Sequence, residues 1–149
     1  MRDQRHARVF PLRQLVGPPD RCSATNLIDV TERLINTRDG AVIAASVTWA
    51  RTPVARVRGL MGRPPLRSGE ALVIVPATQV HTFGMATAID VVFCDRNWLV
   101  LHVATQLARR RVSRWVRGAR FVIELPGASA SGVSVGDRLM LEDQSPSVL

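Results

Sequence analysis

Residues 33–49, RLINTRDGAVIAASVTW, carry the clearest secondary-structure signal of the chain. Two β-prone runs, 33–37 and 41–49, flank the short connection RDG at 38–40. An Asp-Gly connection between such runs is typical of a tight turn between paired strands. The stretch therefore predicts two antiparallel strands, which form the first hairpin of a β domain.

More short strands follow this hairpin, with Gly, Pro, Asp and Asn between them. Thr52 before Pro53 matches a helix start, with a hydroxyl cap and a proline in the first turn, and predicts one short helix over 53–61. Six or seven strands with one helix predict a mainly β, at most α+β, fold: a small antiparallel β barrel or sandwich-like single domain. The further predicted strands are 71–75, 91–94, 99–103, 120–125 and 138–141.

Length and composition indicate one globular domain. The 149 residues suit a single core, and 46% hydrophobic with 21% charged residues argues against disordered, collagen-like and membrane-spanning chains. No run approaches the ~18 apolar residues of a membrane helix. The domain is predicted to span 25–143, after a flexible or loosely docked arm at 1–24 and before a flexible tail at 144–149.

The charge balance is strongly basic. The chain has 20 basic residues, all arginine, against 12 acidic ones, and its net charge is +8. Arginine without lysine reflects codon bias in a GC-rich genome, although arginine also binds phosphate and carboxylate with two parallel hydrogen bonds. Such a charge attracts nucleic acid, anionic lipid or acidic partners, and does not choose among them.

The cysteines and the first residues indicate the cellular compartment of the protein. Cys22 and Cys94 lie far apart and suggest neither a disulfide framework nor a thiolate zinc site. The first residues are charged, and no apolar run of signal-peptide length follows them. These features predict a cytoplasmic protein without a transmembrane segment.

The motif RVRGLMGR (56–63) is a candidate anion site. Arg58 and Arg63, together with Arg56, could converge on one phosphate or carboxylate at the end of the predicted helix. A structural alternative stays open, in which Gly59 and Gly62 end the helix and the arginines are solvated.

The segment 80–90 combines His81, Phe83, Met85 and Asp90 just before a predicted strand. His81 and Asp90 could act as a base and its orienting carboxylate, or join His102 and Glu124 in a metal site. Because the spacing matches no ligand signature, no metal or cofactor is predicted. Alternatively, Asp90 accepts backbone N–H bonds and the histidine makes one core hydrogen bond.

The segment 106–120, QLARRRVSRWVRGAR, holds six arginines and no acid. One face of a helical turn could meet a nucleic-acid backbone while the tryptophan stacks on a base. The alternative is a solvated connecting loop. The nucleic-acid candidates are Arg109, Arg110, Arg111, Arg114, Trp115 and Arg117, with Arg120 completing the three-residue spacing.

Four linked motifs resemble the domain of unknown function 192 family, DUF192. They are RGLMGR (58–63), VHTFGM (80–85) with IDVVF (89–93), VIELPG (122–127) and GD (136–137). The resemblance implies a small, mostly β domain of bacteria and archaea, often exported, without an established enzymatic activity. It also implies a structural role for the motif residues Gly59, Leu60, Met61, Gly62, Glu124, Gly136 and Asp137.

Two positions depart from the family pattern. Ala86 stands where a basic residue commonly follows the methionine, and Ala88 stands where proline commonly precedes the Ile-Asp pair. If the missing basic side chain binds an anionic ligand in relatives, this chain binds that ligand poorly or differently. The missing proline would loosen the loop that carries His81 and Met85.

The leading functional hypothesis is a non-catalytic accessory or binding domain. Its pocket, formed by 58–63 and 81–90, would take a small anionic ligand or a partner segment. Two alternatives are a small hydrolase or metal-dependent enzyme that uses His81 and Asp90, and a nucleic-acid-binding protein that uses 109–120. No catalytic residue and no cofactor are assigned, the protein partner is unknown, and a monomer is the default.

Overall fold

The computed structural model describes residues 27–30 and 32–144. The predicted arm at 1–24 and the tail beyond Gln144 lie outside the described residues. The described part contains nine strands and one helix in the following order. They are β1 (Leu27–Val30), β2 (Glu32–Asn36), β3 (Val42–Ala44), β4 (Ser46–Ala50), α1 (Pro53–Arg58), β5 (Glu70–Ile74), β6 (Ile89–Cys94), β7 (Val100–Leu107), β8 (Phe121–Pro126) and β9 (Leu139–Asp143).

The strands form two sheets. The larger sheet has the order β1-β4-β5-β8-β6-β7, and the smaller has the order β3-β2-β9. All pairings are antiparallel except β4 with β5, which run parallel because α1 connects them across one face of the larger sheet. The mainly β prediction is confirmed, in its sandwich-like form.

Both faces of the six-stranded sheet are buried. Alternate side chains of β5 show this, because Val73 packs in a cluster between the two sheets while Leu72 packs in a second cluster with Leu60 and Met85. The second cluster lies beneath α1 and the loops that cover the outer face of the sheet. The sheet is therefore the middle of three layers.

The predicted strand 41–49 is wrong in one respect, because it is two strands in different sheets. β3 ends at Ala44 and β4 begins at Ser46, and the N–H groups of Ala45 and Ser46 both donate to the carbonyl oxygen of Gly69 at 2.7 and 3.0 Å. The chain crosses here between sheets whose inner faces share one apolar cluster, which includes Ala44 and Val47. An apolar run therefore continues through a change of sheet.

The helix begins as predicted and ends early. The hydroxyl of Thr52 accepts the N–H of Ala55 at 3.3 Å, and Pro53 occupies the first turn. The helix ends at Arg58 rather than at residue 61, because Gly59 turns the backbone to φ 47° and ψ −124°. That turn brings Gly59 close to the sheet, where a Cβ atom would lie 3.6 Å from Oε2 of Glu124. No helix in the described part of the chain is long and apolar enough to span a membrane.

Candidate functional site

A cavity of about 560 Å³ opens on the α1 side of the six-stranded sheet. This volume lies in the range of small-molecule sites in proteins. We call it the α1 cavity. Its lining residues are Pro53, Arg56, Val57, Arg58, Gly59, Ile74, Pro76, Ala77, Thr78, Gln79, Val80, His81, Phe83, Val112, Trp115 and Glu124.

Glu124 is the buried acidic group of this cavity. It lies on β8, two residues after Val122 of the second apolar cluster, so strand alternation turns it toward α1. The side chain is 1% exposed, and its Oε2 is fully buried without a hydrogen-bond partner among the described residues. Burial raises the pKa of Glu124 to about 8, so the carboxyl is mostly protonated at neutral pH.

An unpaired buried polar group is costly. Leaving a buried donor or acceptor without a partner costs about 1–3 kcal/mol. Most buried side chains avoid this cost through internal hydrogen bonds. The carboxyl of Glu124 therefore lies at the wall of the α1 cavity with unused hydrogen-bonding capacity.

Arginines border the same cavity. Nη1 of Arg56 donates to the carbonyl oxygen of Pro76 at 2.9 Å, while its Nε is buried without a partner among the described atoms. Arg58 is exposed and also lines the cavity. The α1 cavity thus combines a neutral acid with cationic groups.

The two arginines predicted as one anion corner face different recesses. Arg58 lines the α1 cavity, while Arg63 lines a neighbouring recess with Leu60 and Leu66. They still influence one another, because burial first and the charge of Arg58 second lower the pKa of Arg63. Only Arg58 of this pair can meet a ligand inside the α1 cavity.

His81 connects the cavity wall to the helix. Its Nε2 lies 2.8 Å from the carbonyl oxygen of Val57, and its Nδ1 lies 3.3 Å from the backbone nitrogen of Phe83. A carbonyl only accepts and an N–H only donates, so these contacts require the proton on Nε2. Both ring nitrogens are therefore engaged within the protein, and the imidazole fixes the segment 81–83 against α1.

Asp90 lies apart from His81. It is fully buried, and its two oxygens accept the N–H groups of Gln106 at 2.8 Å and Ala130 at 2.9 Å. Its neighbours on β6, Ile89 and Val91, pack in the cluster beneath α1, so alternation turns Asp90 to the opposite face. These hydrogen bonds are the ones expected in the alternative in which Asp90 accepts backbone N–H groups and has a structural role. Neither ring nitrogen of His81 bonds to Asp90.

The other residues of this segment divide between cavity and core. Phe83 lines the cavity and is 47% exposed, whereas Met85 is buried in the cluster beneath α1. His102 packs against the Phe93 ring, and burial and then the charge of Arg114 lower its pKa. Within 32–144, no three His, Cys, Asp or Glu side chains are grouped as metal ligands.

The GD motif lies in a different part of the fold. A carboxylate oxygen of Asp137 accepts from the N–H of Ser134 at 2.9 Å and from Nδ2 of Asn36 at 2.8 Å. These two hydrogen bonds, and then the charge of Arg38, lower the pKa of Asp137. Gly136 precedes it at φ 93°, and its N–H donates to the Val100 carbonyl. The motif connects β2 to the turn before β9.

The arginine run is not helical. Residues 108–120 form a loop with an isolated bridge between Val112 and His81. The expectation of a helical turn is wrong, because the backbone of residues 110–116 bonds to the segment 78–82. Trp115, predicted as a nucleic-acid contact, also lines the α1 cavity.

Sequence reasoning predicted a pocket between 58–63 and 81–90, but gave Glu124 a structural or metal-ligand role and did not place it in that pocket. The available signal was an acid in the middle of the apolar strand FVIELP (121–126). A charged side chain inside a buried strand needs a partner. Most other wall residues, such as Ile74 and Val80, carry no local signal that separates them from core residues.

Two solved bacterial structures are similar to this chain in fold. A protein of unknown function from Novosphingobium aromaticivorans DSM 12444 matches with a TM-score of 0.64 and 20% identity, over 76% of this chain and 84% of that one. A candidate transcription regulator from Sinorhizobium meliloti 1021 matches with a TM-score of 0.61 and 23% identity, over 73% of this chain and 90% of that one. At these identities, the likeness concerns the fold alone.

The sequence comparisons give the family. Among curated proteins, none matches this chain. The DUF192 family, described as "Uncharacterized ACR", matches residues 34–141, which contain all the motifs that carried the resemblance. The chain belongs to the DUF192 family.

Proposed function

We propose that this protein is a non-catalytic binding domain whose α1 cavity takes a small organic anion. The observation that carries the proposal is the buried carboxyl of Glu124, which faces the cavity without a hydrogen-bond partner in the described chain. A ligand group that bonds to this carboxyl recovers the cost of its burial. The ligand then supplies the hydrogen bond that the buried carboxyl lacks in the unliganded protein.

The walls of the cavity specify the rest of the ligand. Phe83, Val112 and Trp115 are exposed large hydrophobic residues at the cavity, which favours a flat apolar body. Arg56 and Arg58 favour a carboxylate or phosphate at one end. The protonated carboxyl of Glu124 favours a hydroxyl or carbonyl at the inner end.

The arrangement of His81 and Asp90 favours binding over catalysis in this cavity. Both ring nitrogens of His81 have backbone partners, and Asp90 is not among the lining residues. A histidine base that is oriented by a carboxylate would need those two side chains together. The groups left for a ligand are the Glu124 carboxyl and the arginines.

A naphthoate with a hydroxyl on the ring opposite its carboxylate is a suitable probe. It is expected to raise the unfolding midpoint by about 5–10 °C at 100 times its Kd, because a ligand at that ratio adds about 2.7 kcal/mol to native stability. The measurement is thermal unfolding of the full chain followed by circular dichroism. Arg58→Gln is expected to weaken binding about tenfold, because it removes a charged hydrogen-bond donor.

The control is Arg67→Gln, which makes the same change on an exposed arginine of another recess. It is expected to keep the full midpoint shift. The corresponding naphthamide tests the charge of the probe itself. Equal shifts in both arginine variants, or no saturable shift with wild type, would overturn the proposal.

A further inference from the structure

The arginine segment, 109–120, is a surface distinct from the α1 cavity, although Val112 and Trp115 border both. Every arginine in it is exposed. The ion pairs of the described residues involve Arg33 and Arg38, and none involves this segment. The arginines of the segment are Arg109, Arg110, Arg111, Arg114, Arg117 and Arg120.

Backbone and hydroxyl contacts fix this segment in place. The hydroxyl of Thr82 donates to the Ala108 carbonyl at 2.7 Å and accepts the N–H of Arg111 at 2.9 Å. The backbones of Arg110 and Arg111 both bond to Thr82, at 3.1 and 2.8 Å. The first arginines are therefore held on one ordered strip, unlike those of a freely moving loop.

The second half of the segment is fixed in the same way. The Ser113 hydroxyl accepts the N–H of Val80 at 3.0 Å, and the Val116 N–H donates to the Thr78 carbonyl at 2.9 Å. Ser113 and Val116 are buried, whereas Arg114 and Trp115 between them are exposed. The backbone contacts thus hold these arginines on one exposed stretch of the surface, where an anionic partner could meet several of them.

Trp115 supplies a flat apolar surface among these charges. It is 64% exposed, and Val112 beside it is 53% exposed. An exposed indole in a segment rich in exposed arginines is the combination that single-stranded nucleic acids use, since bases stack on the ring and phosphates meet the cations. An acidic peptide needs the charges but not the indole.

We propose that the arginine segment is a binding surface for single-stranded nucleic acid, with phosphates on its arginines and a base stacked on Trp115. The proposal does not rest on the cavity ligand. Recognition is independent of sequence, because every base has a face that can stack. Binding weakens with salt, because each phosphate contact releases counterions.

The test is the fluorescence anisotropy of a fluorescein-labelled thymidine oligonucleotide of about 12 nucleotides, titrated with the full chain at several salt concentrations. Saturable binding of wild type is expected. The combined change Arg110→Gln, Arg111→Gln and Arg114→Gln should weaken binding at least about tenfold and reduce the slope of log K against log salt by about 2, from roughly 0.7 per lost phosphate contact.

A charge-matched control separates this surface from net charge. Arg33→Gln, Arg67→Gln and Arg138→Gln remove the same charge from exposed positions outside the segment. This control should bind like wild type at moderate salt. Equal weakening by both triple variants would mean that only the overall charge attracts the oligonucleotide, and would overturn the proposal.

Trp115→Leu tests the stacking step and should weaken binding about tenfold without changing the salt slope. Unchanged binding by this variant would contradict nucleic-acid stacking. Polyglutamate and phosphatidylserine vesicles serve as competitors, and either one displacing the oligonucleotide at equal charge concentration would reassign the surface to another anionic partner. The naphthoate probe distinguishes the two sites, because the triple variant at 110, 111 and 114 should still bind it.

Discussion

Replacing Glu124 with methionine is expected to raise the free energy of unfolding by about 1–3 kcal/mol near pH 4.5, and by more at neutral pH. Methionine has a similar length and fills the same space, and it removes a buried carboxyl that has no hydrogen-bond partner within the described chain. Most substitutions of fully buried residues are destabilising. A gain in stability together with a loss of probe binding would identify Glu124 as a group kept for binding.

The pH dependence of the free energy of unfolding tests the burial of Glu124 independently. The pKa of Glu124 is raised from its ordinary value of 4.5 to about 8 in the folded protein, so between these values the folded state holds a proton that the unfolded state lacks. The titration of Glu124 therefore costs the folded state nothing below pH 4.5, and it lowers the free energy of unfolding by up to about 1.4 kcal/mol per pH unit as the pH rises toward 8.

Glu124→Gln is the control for this titration. It retains a polar side chain of the same shape and removes the ionisation. Chemical denaturation between pH 5 and 8 should give wild type a downward slope that both the glutamine and the methionine variant lack. Identical slopes in all three proteins, or a methionine variant less stable than wild type, would show that Glu124 has internal partners.

Asp90→Asn is expected to lower the free energy of unfolding by about 2–3 kcal/mol, and the unfolding midpoint by about 4–12 °C. Its two oxygens accept two different backbone N–H groups. An asparagine presents one oxygen and one NH₂ group, so one backbone N–H faces another donor. One of these donors, Gln106, has a φ of 52° at an irregularity between β6 and β7, which Asp90 holds in place.

Thermal unfolding of the full chain measures this effect. Asp39→Asn is the matched control, since Asp39 is exposed and accepts one backbone N–H, from Ala41, which asparagine can also accept. Its other contact is an exposed ion pair with Arg38, which contributes little to stability. It should change stability by no more than about 0.5 kcal/mol. Asp90→Asn should still bind the naphthoate probe in proportion to its folded fraction. A variant of normal stability that lost the probe would instead make Asp90 a ligand-binding residue.

Local sequence patterns predicted most of the strands. The Asp-Gly turn places β2 beside β3, and the turn residues at 95–98 place β6 beside β7. The sheet to which each strand belongs was harder to predict, because β3 and β4 form one continuous apolar run in the sequence. The parallel pairing of β4 with β5 depends on where α1 packs, and turn residues carry no information about that packing.

The site was less predictable than the fold. His81 and Asp90 lie close in sequence, which suggested a shared site, but the pleat of β6 turns Asp90 to the other face of the sheet. Glu124 and Arg58 were present in the motifs without a stated relation to one another. The parallel connection that carries α1 over β8 brings both to one cavity, and this is information about tertiary packing rather than local sequence.

Arg58 and Arg63 line different recesses for a local reason. They are five residues apart, and a helix over 53–61 would have ended two residues before Arg63. Gly59 ends the helix first and redirects the chain, so Arg63 turns into the neighbouring recess. A single backbone conformation, allowed by one glycine, thus decides which arginine reaches the α1 cavity.

The three tryptophans make the most direct test, because each supplies one indole N–H signal in a proton–nitrogen correlation spectrum of the full chain. Trp115 lines the α1 cavity, while Trp49 and Trp98 pack together with ring centroids 6.2 Å apart at the cluster between the sheets. Titration with the hydroxyl-bearing naphthoate should move the Trp115 signal saturably and leave the other two unchanged. A saturable response at Trp49 or Trp98, or none at Trp115, would contradict the assignment of the α1 cavity as the binding site.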